Sequence, residues 1–378
     1  MTRRVLFSGL GNVLGHVTRS VLIAEALRDS TPAIRMEFAM GGAFSSLAAQ
    51  RGLVTHDVDP LFPRQDERGS GRGDEPGPVM FRLLFSAKRA FGRALRDDVA
   101  ILASFKPDLV VSDHRWSMVL AAHQLGIPCF GLTSAVYTRW RSPAAAGIAA
   151  LVDQQNETIR RLLGKELREA GWDWDITSLF EADRSMLTDL PELGMGTPAA
   201  LPCTVGPMPW NGGPRVAWPP GCGPAAYISA GSTGDASLLT ELARLLSARG
   251  WRVVVTGTAA ISGDGMVAAA FAGADALLAG ADLAVVHGGS GSVYQAIRRE
   301  VPALLAPANL DQLAHAEALV RCGGGEIADT ADVERMAQQC TDLLADRSRR
   351  ENCESLARAM ARWDGPRIAA EVISSSVA

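Results

Sequence analysis

The chain has 378 residues, more than one hydrophobic core usually serves, so its length predicts two domains. A net charge of −4 gives no overall attraction to nucleic acid or anionic lipid, and we therefore expect no nucleic-acid partner. The six cysteines form no C-x-x-C pair, and no apolar run has the length of a signal peptide or a transmembrane helix. These features predict a cytoplasmic protein with reduced thiols.

Short apolar runs alternate with longer amphipathic stretches along the chain, a pattern typical of βαβ units with parallel sheets. The fold class that this pattern predicts is α/β. The predicted strands are Arg4–Ser8, Arg35–Met40, Leu109–Ser112, Pro128–Leu132, Ala226–Ala230, Arg252–Thr256, Leu283–Val286 and Ala303–Ala306. The predicted helices are Val17–Arg28, Met118–Leu125, Ser237–Ala248, Ser292–Arg299 and Leu313–Arg321.

The domain boundary is predicted from composition. Between Gly206 and Pro224, 11 of the 19 positions are Gly or Pro, which suits neither a helix nor a central strand. We therefore predict domains at residues 1–205 and 225–362, joined by a linker at 206–224, with a tail at 363–378 that packs back on the first domain. A second irregular stretch, Pro63–Pro78, is interpreted as a surface loop, either a lid or a disordered insertion.

A glycine turn follows the first predicted strand. It reads Ser8-Gly-Leu-Gly-Asn-Val-Leu-Gly15-His16 and leads into a helix. Such a turn can bind a dinucleotide, but the spacing differs from G-x-G-x-x-G and no acidic residue ends the second strand. The pattern therefore disfavours a dehydrogenase.

A second glycine turn, His287-Gly-Gly-Ser-Gly-Ser292, joins the strand Leu283–Val286 to a helix. The start of a helix offers free backbone N–H groups and the positive end of the helix dipole, and glycines let an anion approach the backbone closely. Serine hydroxyls and an imidazole N–H add donors. The alternative, a tight βα turn without a ligand, stays open on spacing alone. The residues that the anion-binding hypothesis involves are His287, Gly288, Gly289, Ser290, Gly291 and Ser292.

The next predicted strand ends near a polar pair, Asp311-Gln312, which begins another helix. Parallel strands present their carboxyl ends at one edge of the sheet, where open α/β sheets bind ligands. The pair is a candidate for binding sugar hydroxyls, or Asp311 is merely the N-cap of its helix.

Residues 281–319, "ADLAVVHGGSGSVYQAIRREVPALLAPANLDQLAHAEAL", resemble the donor-binding signature of family 1 glycosyltransferases, which include bacterial natural-product enzymes. The stretches "LPCTVGP" at 201–207 and "YISAGSTG" at 227–234 resemble further parts of that family. The resemblance implies the GT-B fold, in which two Rossmann-like, doubly wound domains have parallel sheets that face each other across a cleft.

The resemblance also implies roles for individual residues. Gly15-His16 resembles the family's Gly-His pair, in which the histidine is the general base, and Asp113 is our candidate for the acid that orients it; His114 competes for a role in the cleft. Gln295 occupies the place of a glutamate expected to hold the ribose hydroxyls, while Asp311 and Gln312 would hold the sugar. The donor-binding residues implied are Gly15, Ser232, His287, Gly289, Ser290, Gly291, Ser292, Gln295, Asp311 and Gln312.

The resulting hypothesis is an inverting glycosyltransferase that moves a sugar from a UDP- or dTDP-sugar to a hydroxyl of a small-molecule acceptor from secondary metabolism. We expect no cofactor and no obligatory metal, and interpret the D-x-D pairs at 57–59 and 173–175 as surface features. The alternatives are a membrane-associated transferase with a lipid-linked acceptor, a nucleotide-sugar epimerase on the same fold, and a non-catalytic nucleotide-binding partner. Two features keep the membrane alternative open. One is Arg19, where the family usually has Pro, and the other is the amphipathic stretch Val79–Arg96. A homodimer is left open as well.

Overall fold

The structure is a computed structural model. It describes residues 2–61, 76–172, 175–231, 236–257 and 265–378. Within these ranges, the side chains of residues 76–89, 145, 146 and 236 are not described. Residues 63–75 of the predicted loop at 63–78 therefore lie outside the described residues. All six cysteines are free. Across these ranges, no helix is long and apolar enough to cross a membrane.

The first sheet contains six described strands, all parallel, in the order β3-β2-β1-β4-β5-β6. Its strands are β1 (Arg4–Gly9), β2 (Arg35–Ala39), β3 (Val54–His56), β4 (Leu109–Asp113), β5 (Cys129–Thr133) and β6 (Arg184–Leu187). The helices of this part are α1 (Leu14–Ser30), α2 (Ser46–Gln50), α3 (Pro76–Phe105), α4 (Trp116–Leu125), α5 (Ala146–Glu169) and α6 (Ser178–Glu181).

The second sheet repeats this topology, with the order β12-β11-β10-β7-β8-β9 and parallel pairing throughout its described strands. Its strands are β7 (Ala225–Ser229), β8 (Arg252–Thr256), β9 (Met266–Ala269), β10 (Leu283–Val286), β11 (Ala303–Leu305) and β12 (Gly325–Ile327). The helices of this part are α7 (Ala236–Ala248), α8 (Ala274–Leu278), α9 (Ser290–Arg298), α10 (Leu310–Arg321), α11 (Val333–Ala345) and α12 (Arg347–Met360). The last helix of the chain is α13 (Gly365–Val377). Two doubly wound sheets of the same order confirm the predicted fold class.

The sequence pattern correctly located the interior strands and missed the edges. Each of the eight predicted strands corresponds to an interior strand of one of the two sheets. The strands absent from the prediction, β3, β6, β9 and β12, are the four edge strands. Interior strands such as β4 and β10 are buried along their whole length, whereas β3 is exposed or half-buried at every position. The edge strand β3 therefore lacks the continuous apolar run that the prediction used.

The chain divides into two compact units. The first contains the residues before 62 together with Met80–Met208 and Trp363–Ala378, and the second contains Pro209–Arg362. Helix α13 of the tail packs against α1, with Ala369 and Ile373 fully buried. The tail is thus part of the first unit, although the whole second unit precedes it in the chain.

Candidate active site

The first group of candidate residues lies where the winding of the first sheet reverses direction. Strands β1 and β4 are neighbours, and Gly9 at the end of β1 pairs with Asp113 at the end of β4. The loop after β1 leads into α1, whose first turn contains Gly15 and His16. A Cβ added at Gly15 would meet no described atom within 4 Å. The register therefore brings His16 and Asp113 to the same edge of the sheet, the usual ligand-binding edge of such folds.

His16 and Asp113 are in direct contact. His16 Nδ1 lies 2.6 Å from Asp113 Oδ1, and the side chains are 14% and 0% exposed. The same nitrogen lies 3.2 Å from the Asp113 carbonyl oxygen. Both oxygens accept hydrogen bonds, so these contacts favour the tautomer in which Nδ1 bears the proton. Nε2 then keeps a lone pair that can accept a proton.

A third residue, Arg19, binds the same carboxylate. Its Nη2 donates to Asp113 Oδ1 at 2.8 Å, and its Nε donates to Oδ2 at 3.1 Å. Burial by itself would raise the pKa of Asp113, but the nearby Arg19 and His16 outweigh it and lower that pKa to about 2. Asp113 is therefore an ionised acceptor at neutral pH.

His114 adjoins this group in a strained conformation. Its φ of 59° lies in the left-handed region, which a non-glycine residue adopts rarely. Its Nε2 lies 3.0 Å from Thr133 Oγ1, and its ring meets the His16 ring edge-on at 5.2 Å between centroids. The residue thus packs against the imidazole of His16, with one ring nitrogen in contact with a hydroxyl.

The second group lies at the start of α9. Gly289 is the N-cap and has no side chain to cap the helix, whose first turn contains no acidic residue. The positive end of the helix dipole is therefore not neutralised by an acidic residue of that turn. At Gly291, an added Cβ would meet nothing within 4 Å among the described residues, so its backbone borders open space. Ser290 is half-buried, while the Ser292 hydroxyl donates to the Gly289 carbonyl at 2.8 Å.

His287 follows β10 and lies beside the end of the neighbouring strand β7. Gly231, after β7, has φ of +59°, and a Cβ on it would lie 2.2 Å from His287 Cε1. Burial lowers the pKa of His287 to about 4, against smaller opposing effects of the Ser229 backbone and Asp311. Nδ1 is buried with no hydrogen-bond partner in the described part of the chain. His287 is therefore a neutral imidazole at physiological pH, able to donate one N–H. Ser232, predicted nearby, lies outside the described residues.

Other predicted donor-binding side chains contact the protein itself. The Gln295 amide donates to the Trp210 carbonyl at 2.6 Å, and so ties α9 to the segment before β7. Gln312 is 2% exposed, and its side-chain oxygen accepts from the Ala308 N–H at 2.7 Å. These contacts give both residues structural roles that their positions in the motif did not reveal.

Asp311 is not the N-cap of α10, so that alternative was wrong. Asn309 is the cap, and its side chain accepts from the Gln312 N–H at 3.1 Å. The Asp311 carboxylate is 41% exposed. Its Oδ1 lies 3.8 Å from His315 Nδ1 of the same helix.

The aspartates of the D-x-D pairs do not form a metal site in the described ranges, where no cluster of three or more His, Cys, Asp or Glu residues could hold an ion. Asp59 accepts from the Leu61 N–H at 3.0 Å and pairs with Arg93 at 3.3 Å. In the second pair, residues 173 and 174 lie outside the described residues.

Comparisons with known proteins find matches along most of the chain. Residues 255–377 match the family model for the C-terminal domain of erythromycin biosynthesis protein CIII-like proteins. A PGL/p-HBAD biosynthesis glycosyltransferase of Mycobacterium tuberculosis is 26% identical over 402 positions, covering 94% of this chain and 88% of the relative. A PGL/p-HBAD biosynthesis rhamnosyltransferase of Mycobacterium bovis is 26% identical, covering 95% of this chain and 85% of the relative. The chain is therefore similar to glycosyltransferases over most of its length, and its two doubly wound sheets have the GT-B fold.

The fold also matches solved structures. The crystal structure of SsfS6, a glycosyltransferase of Streptomyces sp. SF2575 complexed with thymidine diphosphate, has a TM-score of 0.71 at 23% identity. The match covers 99% of this chain and 100% of that chain. At this identity the likeness supports the fold.

Sequence reasoning missed two residues that shape the candidate sites of this chain. Arg19 lies three positions after His16 on the same helix, and that spacing was a usable signal because such residues share a helix face. Gly231 had no comparable signal. A glycine is required there because a Cβ would overlap the ring of His287. His287 is distant in sequence and comes close to Gly231 only in the folded sheet.

Proposed function

We propose that this glycosyltransferase acts with inversion, moving a sugar from a dTDP- or UDP-sugar to a hydroxyl of a small-molecule acceptor, with His16 as general base. The observation that carries the proposal is the 2.6 Å contact between His16 Nδ1 and the buried carboxylate of Asp113. An ionised acid behind one imidazole nitrogen leaves the other nitrogen free to accept a proton, and stabilises the imidazolium that forms.

The proposed reaction is a single displacement. The acceptor hydroxyl gives its proton to His16 Nε2 while its oxygen attacks C1 of the sugar, and the bond from C1 to the diphosphate oxygen breaks. Attack on the face opposite the leaving group inverts the configuration at C1. The negative charge that develops on the diphosphate would be stabilised by the N–H groups at the start of α9, the Ser290 hydroxyl and the neutral imidazole of His287. We propose that these donors suffice and that no metal is obligatory.

The names of similar proteins favour one class of sugar donor. SsfS6 was crystallised with thymidine diphosphate, and one mycobacterial relative is a rhamnosyltransferase. These names support a dTDP-deoxysugar, with dTDP-rhamnose as the first donor to test. The names of the relatives refer to PGL/p-HBAD biosynthesis and those of the solved structures to natural products, which supports a hydroxyl of a secondary metabolite as the acceptor.

The test is turnover by the His16→Gln variant, measured as dTDP release from dTDP-rhamnose with a panel of hydroxyl acceptors in buffer with EDTA. Loss of a general base lowers turnover by about 10² to 10⁴-fold, so we expect a fall in that range. The matched control is dTDP affinity, which we expect to stay within about two-fold because the diphosphate-binding group lies in the other unit. Wild-type turnover in His16→Gln, or a product that retains the donor's configuration at C1, would contradict the proposal.

A further inference from the structure

We propose that Arg19 is a positioning residue that sets both the orientation of the Asp113 carboxylate and the net charge that the Arg19–Asp113 pair presents to the His16 imidazole. The inference rests on the proposed function, because it concerns the base of that reaction. It gives a role to Arg19, which stood out in the sequence only because the family that the chain resembles usually has Pro at that position.

The contacts of Arg19 fix the plane of the carboxylate. Nη2 approaches both oxygens of Asp113, at 2.8 Å from Oδ1 and 2.9 Å from Oδ2, while Nε approaches Oδ2 at 3.1 Å. Oδ1 is also the atom that contacts His16 Nδ1. A guanidinium binds a carboxylate in a planar fork, so rotation of the carboxylate away from the imidazole would break several hydrogen bonds at once.

The same contacts change the charge that the imidazole experiences. The titratable and charged groups seen against the His16 ring or its carboxylate are Asp113, Arg19 and His114. Asp113 is fully buried, and the Arg19 side chain is 12% exposed, so solvent screens this group weakly. A guanidinium is always protonated, and the Arg19–Asp113 pair therefore has a net charge near zero.

A neutral pair stabilises the imidazolium less than an isolated carboxylate would. Removing the Arg19 charge would therefore stabilise the imidazolium further, while Asp113 still contacts the ring. Arg19 acts through Asp113 and does not touch the reacting atoms.

The test is a ring titration by NMR of the full-length protein, following the imidazole C–H signals of its six histidines. The His16→Gln variant assigns the signal of His16. In Arg19→Gln, which removes the charge, we expect the titration midpoint of that signal to move up by about one pH unit. We expect the acidic limb of the pH profile of kcat/KM to move up by the same amount in Arg19→Gln. A folded Arg19→Gln protein with the wild-type midpoint would overturn the proposal.

Arg19→Lys is the matched second variant, because it keeps the charge and loses the fork. We expect its midpoint to stay within about 0.3 pH units of the wild type and its kcat to fall about ten-fold without a rise in the donor KM. Wild-type kcat in Arg19→Lys would contradict the positioning role, and this outcome stays measurable even if Arg19→Gln does not fold.

The titration needs no turnover, so the two proposals fail separately. Loss of turnover in His16→Gln together with an unshifted midpoint in Arg19→Gln overturns the role of Arg19 and leaves the proposed function standing. Retained turnover in His16→Gln overturns the proposed function and, with it, the role of Arg19.

Discussion

At the scale of single residues, the two histidines of the candidate sites have opposite surroundings. His16 contacts an ionised carboxylate, which suits the proposed general base because that group would become positively charged during the reaction. His287 is desolvated, with a pKa lowered to about 4, and stays neutral. A neutral imidazole next to a diphosphate serves as a hydrogen-bond donor whose state does not change between pH 5 and 8.

The lowered pKa of His287 predicts a pH dependence of stability. The ordinary histidine pKa is about 6.5, so between that value and the folded value of about 4 the unfolded chain binds a proton that the folded protein does not. The free energy of unfolding must therefore decrease as the pH falls through this window. Urea denaturation at pH 7 and pH 4.5 should show a larger decrease for the wild type than for His287→Gln. Equal decreases for the two proteins would refute this origin.

Single-residue roles were only partly predictable from the sequence. His16 was identified from the resemblance of Gly15-His16 to the family's Gly-His pair, and Asp113 because the end of a predicted strand places it at the same sheet edge. The contacts of Gln295 with Trp210 and of Gln312 with Ala308 were not predictable. They depend on how side chains pack in three dimensions, and a motif carries no information on that packing.

At the scale of elements, the start of α9 and the loops around it depend on glycines for two different reasons. Gly231 is needed by the protein, because a Cβ there would overlap the His287 ring and its φ is positive. Gly291 meets no described atom, and an added methyl would instead point into open space. The first glycine serves folding, while under our proposal the second serves the approach of the ligand.

These two glycines give a matched pair of variants. We expect Gly291→Ala to leave the unfolding temperature unchanged or slightly higher, because alanine favours a helix over glycine by up to about 1 kcal/mol, and to weaken dTDP binding about ten-fold. We expect Gly231→Ala to lower the free energy of unfolding by about 1 to 3 kcal/mol. Calorimetric dTDP titration and thermal unfolding measure both effects. Unchanged dTDP affinity in Gly291→Ala would contradict a diphosphate at this helix.

The prediction of elements succeeded for interior strands and failed at the edges for a physical reason. Strands such as β10 are buried on both faces and appear in the sequence as continuous apolar runs. The edge strand β12, with the sequence Gly-Glu-Ile, is only three residues long and half-buried at two of them. Its place in the sheet is determined by pairing with β11, which local sequence does not encode.

At the scale of the whole molecule, the chain leaves the first unit, forms the second and returns. The returning helix α13 buries Ile373 against the first unit, whose helix α1 begins with the Gly15-His16 turn. The last residues of the chain therefore support the helix that positions the proposed base.

This arrangement predicts that a tail residue contributes strongly to stability. Ile373 is 0% exposed, and we expect Ile373→Ala to lower the free energy of unfolding by about 2 to 5 kcal/mol because a cavity forms in the core. The exposed Ser375 on the same helix is the control, and Ser375→Ala should change it by less than about 0.5 kcal/mol. Urea denaturation measures the free energy of unfolding of both variants. Similar small changes in the two would show that the tail contributes little to stability.

The central claim is that the start of α9 and His287 bind the diphosphate of the donor. Its most direct test is calorimetric titration of the wild type and His287→Ala with dTDP and with thymidine. A hydrogen bond to a charged group contributes about 1.5 to 3 kcal/mol, so dTDP affinity should fall about 10- to 100-fold. Thymidine affinity should change by less than about two-fold, because the nucleoside has no diphosphate. Equal losses for both ligands, or no loss for either, would contradict the account.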